Sequence, residues 1–183
     1  ARKVKYMSKA NKSNKAIKYR LYPNDEQKVM FAKTFGCCRF VYNQLLALQK
    51  QRYKDGESHL SKLKSNEFAT RTLKKDYDFL KEIDKFAVSN AVFHLADAYD
   101  RFFKKQNHFP KFKSKRKSKK SYTTNFTNNN ILIGKNVIKL PKVGMVKAVI
   151  HKLPKDDWKL KSVTVSQDSV GNYFASVLFE YEQ

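Results

Sequence analysis

Nine lysines and arginines fall between Lys104 and Lys120, and no Asp or Glu occurs anywhere from Arg101 to Lys155. Lysine is a mobile point charge that suits any phosphate, whereas base reading favours fixed planar donors. The stretch from Phe109 to Lys120 is therefore expected to contact nucleic acid, with salt-dependent affinity and little specificity, rather than to serve as a solvated linker. Directly after it, Tyr122-Thr123-Thr124-Asn125-Phe126-Thr127-Asn128-Asn129-Asn130 gathers amides, hydroxyls and two aromatic rings. Asn amides can pair with adenine edges, Thr methyls can touch thymine methyls, and aromatic rings can stack on unpaired bases. The same stretch reads equally as an ordinary Asn-rich loop.

Catalytic patterns are missing from the sequence. His59, His94, His108 and His151 are scattered, and neither a nucleophile elbow nor a phosphate-cradling glycine loop occurs. His94 reads as a histidine on a helix face. Asp156-Asp157 precede Trp158 in a polar connection and read as a turn or cap, because two-metal nuclease chemistry needs several converging carboxylates. Cys37 and Cys38 are adjacent, so they make neither a disulfide framework nor a zinc knuckle. Beside Arg39 they read as buried helix-packing thiols rather than reactive ones.

The charge has a pattern along the chain. Over 183 residues, 39 Lys and Arg stand against 16 Asp and Glu, for a formal net charge of +23. Such an excess self-repels and implies a polyanionic partner. With 41% hydrophobic and 14% aromatic residues the chain can still build a core. No apolar run approaches a membrane span and no secretory signal pattern opens the sequence, so a soluble intracellular nucleic-acid binder is expected. Residues 1–24 hold 8 basic residues and no acid, and residues 101–155 hold 16 and none. Between them, residues 25–100 are almost neutral, with 13 basic residues and 11 acids.

The neutral block has helical spacing. Phe31, Phe35, Phe40, Val41, Leu45 and Leu48 form an amphipathic stripe that starts after Pro23-Asn24-Asp25-Glu26-Gln27 and stops at Lys54-Asp55-Gly56. Gly36 is expected to mark a bend or a close helix approach. Further helices are expected over about residues 61–76 and 85–105. Short β-type runs dominate elsewhere: 15–22, a hairpin over 130–141 turning at Gly134-Lys135-Asn136, 143–150, and a second hairpin, 161–166 with 173–180, turning over 168–172. The expected class is α+β, a small β-barrel with a helical bundle inserted after its first strand. A helix-turn-helix DNA binder built on Phe31 to Leu48 is disfavoured, because that segment is nearly neutral while recognition helices are usually basic.

Several stretches together resemble the TnpB proteins, RNA-guided DNA endonucleases of bacterial and archaeal insertion sequences related to type V CRISPR nucleases. They are Arg20-Leu21-Tyr22-Pro23, Gly36-Cys37-Cys38-Arg39-Phe40-Val41-Tyr42-Asn43, Leu80-Lys81-Glu82-Ile83-Asp84-Lys85-Phe86-Ala87, Ala98-Tyr99-Asp100-Arg101-Phe102-Phe103, Phe109-Pro110-Lys111-Phe112, Phe126-Thr127-Asn128-Asn129-Asn130-Ile131, Leu140-Pro141-Lys142-Val143-Gly144 and Ser162-Val163-Thr164-Val165. Their order and spacing hold from about Ala16 to Glu180. Residues 1–6 have no counterpart in the family.

The resemblance implies a wedge β-barrel over 1–24 and 110–183, the latter opening with the basic linker, and a helical recognition domain over 25–109. It implies a RuvC-like nuclease after the barrel, whose three acidic metal ligands match no position here. Mg²⁺ and Zn²⁺ are thus expected only with that nuclease domain, and no cofactor in this chain. Lys85, Phe86, Ser89, Thr127 and Asn128 fall where the family reads a short DNA motif beside its target, with Ser89 standing in place of an amide. Arg20, Arg39, Lys111, Lys113, Arg116 and Lys117 are the expected contacts to RNA phosphates. The implied partners are a guide RNA, double-stranded target DNA and a nuclease domain or separate nuclease chain, without a membrane. The implied location is the bacterial or archaeal cytoplasm, at the nucleoid. The rival reading is a stand-alone structural RNA-binding protein of ribosomal or chaperone type.

Overall fold

The computed structural model describes residues 10–183, so residues 1–6 lie outside the described residues. The first element, β1 (Lys12–Tyr22), follows from strict alternation: Ile17, Tyr19 and Leu21 are buried while Lys18 and Tyr22 face outward. Helix α1 (Asp25–Lys54) starts at Asn24 with a capping box. The Gln27 N–H donates to Asn24 Oδ1 (2.8 Å) and the Asn24 N–H donates to Gln27 Oε1 (3.0 Å). Asp25 and Glu26 complement the positive end of the helix dipole. The helix stops at Asp55, where Gly56 takes the left-handed conformation (φ 71°).

Gly36 corrects an expectation. α1 passes through it as one helix, and a Cβ there would meet only the Arg39 guanidinium at an ordinary 3.7 Å. The glycine answers neither to a bend nor to a close helix approach. After α1, Ser61 caps α2 (Lys62–Glu67), which passes through a π-helical turn (Phe68–Leu73) into the short α3 (Lys74–Asp76). A 3₁₀ turn over Asp78–Lys81 leads to α4 (Lys85–Phe103). Its Ala87, Val88, Ala91, Val92, Leu95 and Tyr99 are buried.

The remaining strands are β2 (Lys120–Asn125), β3 (Leu132–Ile133), β4 (Val137–Leu140), β5 (Gly144–Val149), β6 (Lys159–Gln167) and β7 (Tyr173–Glu182). They join β1 in a seven-stranded antiparallel sheet ordered β2-β6-β7-β1-β5-β4-β3. Both expected hairpins are present, β3–β4 and β6–β7. In chain order every helix lies between β1 and β2. One buried cluster spans helices and sheet, with the Phe31 ring of α1 lying 6.3 Å from Tyr122 of β2 and 5.5 Å from Tyr173 of β7.

The α+β class stands, but the expected barrel does not close. Among the described residues the ladder has two free edges, β2 and β3. Closure needs those edges to pair with a fixed stagger. β3 is only two residues long, and the chain between β2 and β3 turns through Asn128 and Asn129, both left-handed (φ 47° and 55°), so no ladder forms between them. β2 itself was not expected: the Asn-rich stretch divides into a strand, with Tyr122 and Thr124 buried, and a loop after Asn125.

Candidate nucleic-acid interface

Lys113 is the point at which the basic segment is fixed to the helices. The Asn43 amide of α1 straddles its backbone, Nδ2 donating to the Lys113 carbonyl (2.9 Å) and Oδ1 accepting from the Lys113 N–H (2.8 Å). A side-chain amide thereby does the work of a strand partner for a segment with no ladder of its own. The Lys113 ammonium lies 4.2 Å from the Tyr42 ring centroid, a cation–π contact. Burial pushes its pKa down, and nearby Cys38 pulls the other way.

This ammonium opens into a narrow cleft between α1, α4 and β2. Arg39, His94, Lys113, Lys119 and Lys120 line it together with Ser118, Ser121 and Thr123, and among the described residues no acid does. Burial pushes the His94 pKa down, and Lys113 adds to that. Beyond Lys113 the chain closes a tight turn: Ser118 Oγ accepts from the Ser114 N–H (2.9 Å) and Ser114 Oγ from the Lys117 N–H (3.1 Å). Lys115, Arg116 and Lys117 are carried exposed on that turn, and Lys111 is exposed before it. Among the described residues no cation from Lys104 to Lys120 forms an ion pair.

A second cluster adjoins the cleft. Lys85, Phe86 and Ser89 occupy the first turns of α4, and Thr127 and Asn128 the loop after β2. The fold ties these two segments together through Asn90, whose Nδ2 donates to the Thr123 carbonyl (2.9 Å) and to Asn125 Oδ1 (3.2 Å). Asn130 shapes the loop, donating to the Asn125 carbonyl (2.9 Å) and accepting from the Thr127 N–H (2.8 Å). Thr127 and Asn128 are left exposed at its tip. Asp84 caps α4 by accepting from the Phe86 N–H (3.1 Å). Burial raises its pKa, and Thr124, the Phe86 N–H, Lys85 and Lys142 offset part of that rise.

Arg20 lies elsewhere, on β1, with β6 and β7 between it and β2. Its guanidinium donates to Asn172 Oδ1 (2.7 Å) and lies 5.0 Å from the Tyr22 ring and 5.4 Å from Phe174. The structure thus brings Arg39 and Lys113 together, keeps Lys111, Arg116 and Lys117 on the adjoining segment, and commits Arg20 to contacts within the sheet. Sequence reasoning assigned no role to Asn43, Asn90 or Tyr42. Asn43 and Asn90 act on partners 70 and 33 residues away, a relation that no local spacing carries.

Cys38 is a packing thiol: it contacts the Ala87 carbonyl at 3.4 Å, and burial pushes its pKa up to about 12. Asp156 and Asp157 sit in an exposed turn that the Trp158 N–H closes on the Lys155 carbonyl (3.0 Å). Among the described residues no three His, Cys, Asp or Glu side chains gather as a metal site would require.

Comparison with known proteins adds a family. The helix-turn-helix domain of the IS605 OrfB family matches residues 11–58. In this structure that span is β1 followed by the single helix α1, so it contains no turn between two helices. Two relatives bear the name "Putative RNA-guided DNA endonuclease". One, from Streptomyces pristinaespiralis, is 31% identical over 168 residues, covering 91% of this chain and 41% of its own. The other, InsQ of Escherichia coli (strain K12), is 30% identical over 174 residues, covering 91% of this chain and 40% of its own. Virulence protein VsdF of Salmonella dublin is 32% identical over 111 residues, covering 55% of this chain and 93% of its own. The chain spans about two fifths of the length of the two endonuclease-named relatives. With these matches running through nearly all of its length, the chain belongs to the TnpB family of insertion-sequence proteins.

Proposed function

We propose that these residues are the nucleic-acid-gripping part of a TnpB-type RNA-guided DNA endonuclease, binding a guide RNA and recognising a short DNA motif beside the target. The observation that carries this reading is the acid-free cleft holding Arg39 and Lys113 next to the joined α4 and β2–β3 segments. Arg39, Lys111, Lys113, Arg116 and Lys117 contact RNA phosphates, and Arg20, held on β1 by Asn172, Tyr22 and Phe174, braces the sheet apart from them. Lys85, Phe86, Ser89, Thr127 and Asn128 touch the base edges of the motif. The target sequence itself is read by RNA–DNA pairing, while the protein grips shape and motif.

In this proposal residues 1–24 and 110–183 act as the wedge and 25–109 as the recognition domain. Mg²⁺- and Zn²⁺-dependent chemistry belongs to a nuclease domain or chain, and the site of action is the nucleoid. The test is fluorescence anisotropy of a labelled duplex titrated with the chain, with and without a guide RNA complementary to its target strand. Guide-dependent binding that weakens when only the adjacent motif is scrambled supports the proposal. Duplex affinity indifferent to both the guide and the motif overturns it and leaves a general RNA binder.

A further inference from the structure

At the far end of α1 and α4 from Lys85 lies a groove of about 650 Å³, lined mostly by rings. Nineteen helical residues separate the two ends of α4, about 28 Å at 1.5 Å per residue, so this groove is distinct from the cluster around Asn90. His59 sits edge-on to Tyr99 (4.5 Å) and Phe103 (5.4 Å), and Phe109 edge-on to Tyr99 (5.5 Å) and Phe102 (5.1 Å). Several rings in or beside the groove remain open to solvent: Tyr53 is 86% exposed, Phe103 58%, Phe112 51% and Phe109 40%. So much aromatic surface in one place marks a binding site.

The charge around the groove selects the occupant. The Lys50 ammonium lies 4.7 Å from the Phe112 ring centroid and 5.6 Å from that of Phe109, and Lys54 lines the same groove. Lys104, Lys105 and Lys111 flank it in sequence, exposed and, among the described residues, without ion pairs. Glu57, the one acid among the described residues that line the groove, is paired with Arg52 (2.7 Å), and Asp55 beside it accepts from Gln51 (3.0 Å). Exposed flat rings interleaved with unpaired cations match a strand whose bases stack and whose phosphates carry charge.

We infer that this groove takes unpaired bases of a single-stranded nucleic acid, stacked on Tyr53 and Phe103, with Lys50 and Lys54 on the intervening phosphates. The inference rests on the nucleic-acid-binding reading above and adds a site for unpaired strand, separate from duplex and motif contacts. Paired bases offer no free faces, so a duplex gains nothing from the rings.

The test is anisotropy of labelled dA20, rA20 and a 40-base-pair duplex with the 183-residue chain and with Tyr53→Ala/Phe103→Ala. The double variant should bind at least one of the single strands about tenfold more weakly, the scale of one base stack, with duplex affinity within twofold and an unchanged salt slope. Tyr53→Phe/Phe103→Tyr should bind like the parent chain, and Tyr53→Ala alone, at so exposed a position, gives a readout that cannot come from unfolding. The two homopolymers tell whether the site prefers DNA or RNA, and a selective loss on either supports it. Equal losses on single strand and duplex, or no loss on any probe, overturn the inference and leave the broader reading intact. Loss of self-association in sedimentation with unchanged nucleic-acid binding also overturns it, assigning the groove to a second copy. A parent chain that binds none of the probes removes both readings.

Discussion

The Asn43 side chain pairs with both backbone groups of Lys113, 70 residues further along the chain, and so fixes the basic segment to the middle of α1. This two-bond clamp positions a lysine that has no ladder or ion pair to hold it. Replacing Asn43 with Ala leaves the Lys113 N–H and carbonyl without partners in a half-buried site. The expected cost is about 1–3 kcal/mol in urea unfolding. Tryptic cleavage after Lys113 should accelerate more than cleavage at Arg116. Asn43→Asp keeps the acceptor but loses the donor, and should fall between the parent and Asn43→Ala in both measurements.

Arg116 and Lys117 bear on affinity rather than stability, because the turn that presents them is closed by Ser114 and Ser118. Arg116→Gln/Lys117→Gln should leave unfolding within about 0.5 kcal/mol of the parent. The slope of log affinity for RNA against log salt should fall by about 0.7 for each phosphate that the two cations neutralise in the parent. An unchanged slope would mean that they face solvent in the complex. Arg20→Gln should behave in the opposite way. Its guanidinium is held by Asn172, Tyr22 and Phe174, so the effect falls on sheet stability, with little change in slope.

Much of this architecture was legible because its signals are local. The start at Asn24 to Gln27, the Gly134-Lys135-Asn136 turn and the Asp168–Asn172 turn each specify a cap or hairpin within a few residues, and each is present. β2 was hidden because its outward residues are Ser121, Thr123 and Asn125. That polarity suits a loop as well as a sheet face, and pairing with β6, sealed by a 2.9 Å hydroxyl contact between Thr123 and Thr164, decides the matter. Gly36 misled in the other direction: glycine in a helix usually signals a demand of the backbone, and here nothing makes one. The cleft was half legible. Its cations were visible as composition, but the residues that aim them, Asn43 and Asn90, act across distances that no spacing rule spans.

Asp84 gives the fold a pH dependence with a definite sign. Burial raises its pKa above the ordinary 3.8, so the folded chain holds that proton more tightly than the unfolded one. Its stabilising contribution is then full below the ordinary value and is lost as pH rises through the raised folded pKa. Asp84→Asn retains an acceptor for the Phe86 N–H and removes the titration. Its stability should therefore vary less than the parent's over the range just above pH 4, measured by urea unfolding at a series of pH values. Asp84→Ala removes the cap and should cost about 0.5–2 kcal/mol. A parent whose stability rises across the same range more steeply than that of Asp84→Asn would show the opposite sign and refute the assignment.

Asn128 separates motif reading from folding more cleanly than any other position in the cluster. Its backbone is left-handed, with φ 47°, a conformation that glycine adopts without strain and that costs an alanine about 1–2 kcal/mol. Asn128→Gly should therefore keep the loop, which Asn130 braces through Asn125 and Thr127, while deleting the exposed amide. Guide-dependent binding to a motif-bearing duplex should weaken by about 1–3 kcal/mol, the scale of one base-edge contact. Binding to a scrambled-motif duplex should not change. Asn90→Ala tests the same cluster from the other side by untying α4 from β2. It should blur discrimination between motif and scramble without altering the salt slope, since every cation is retained. If Asn128→Gly lowers affinity equally for both duplexes, the amide grips backbone rather than base, and motif reading passes to Lys85, Phe86 and Ser89 on α4.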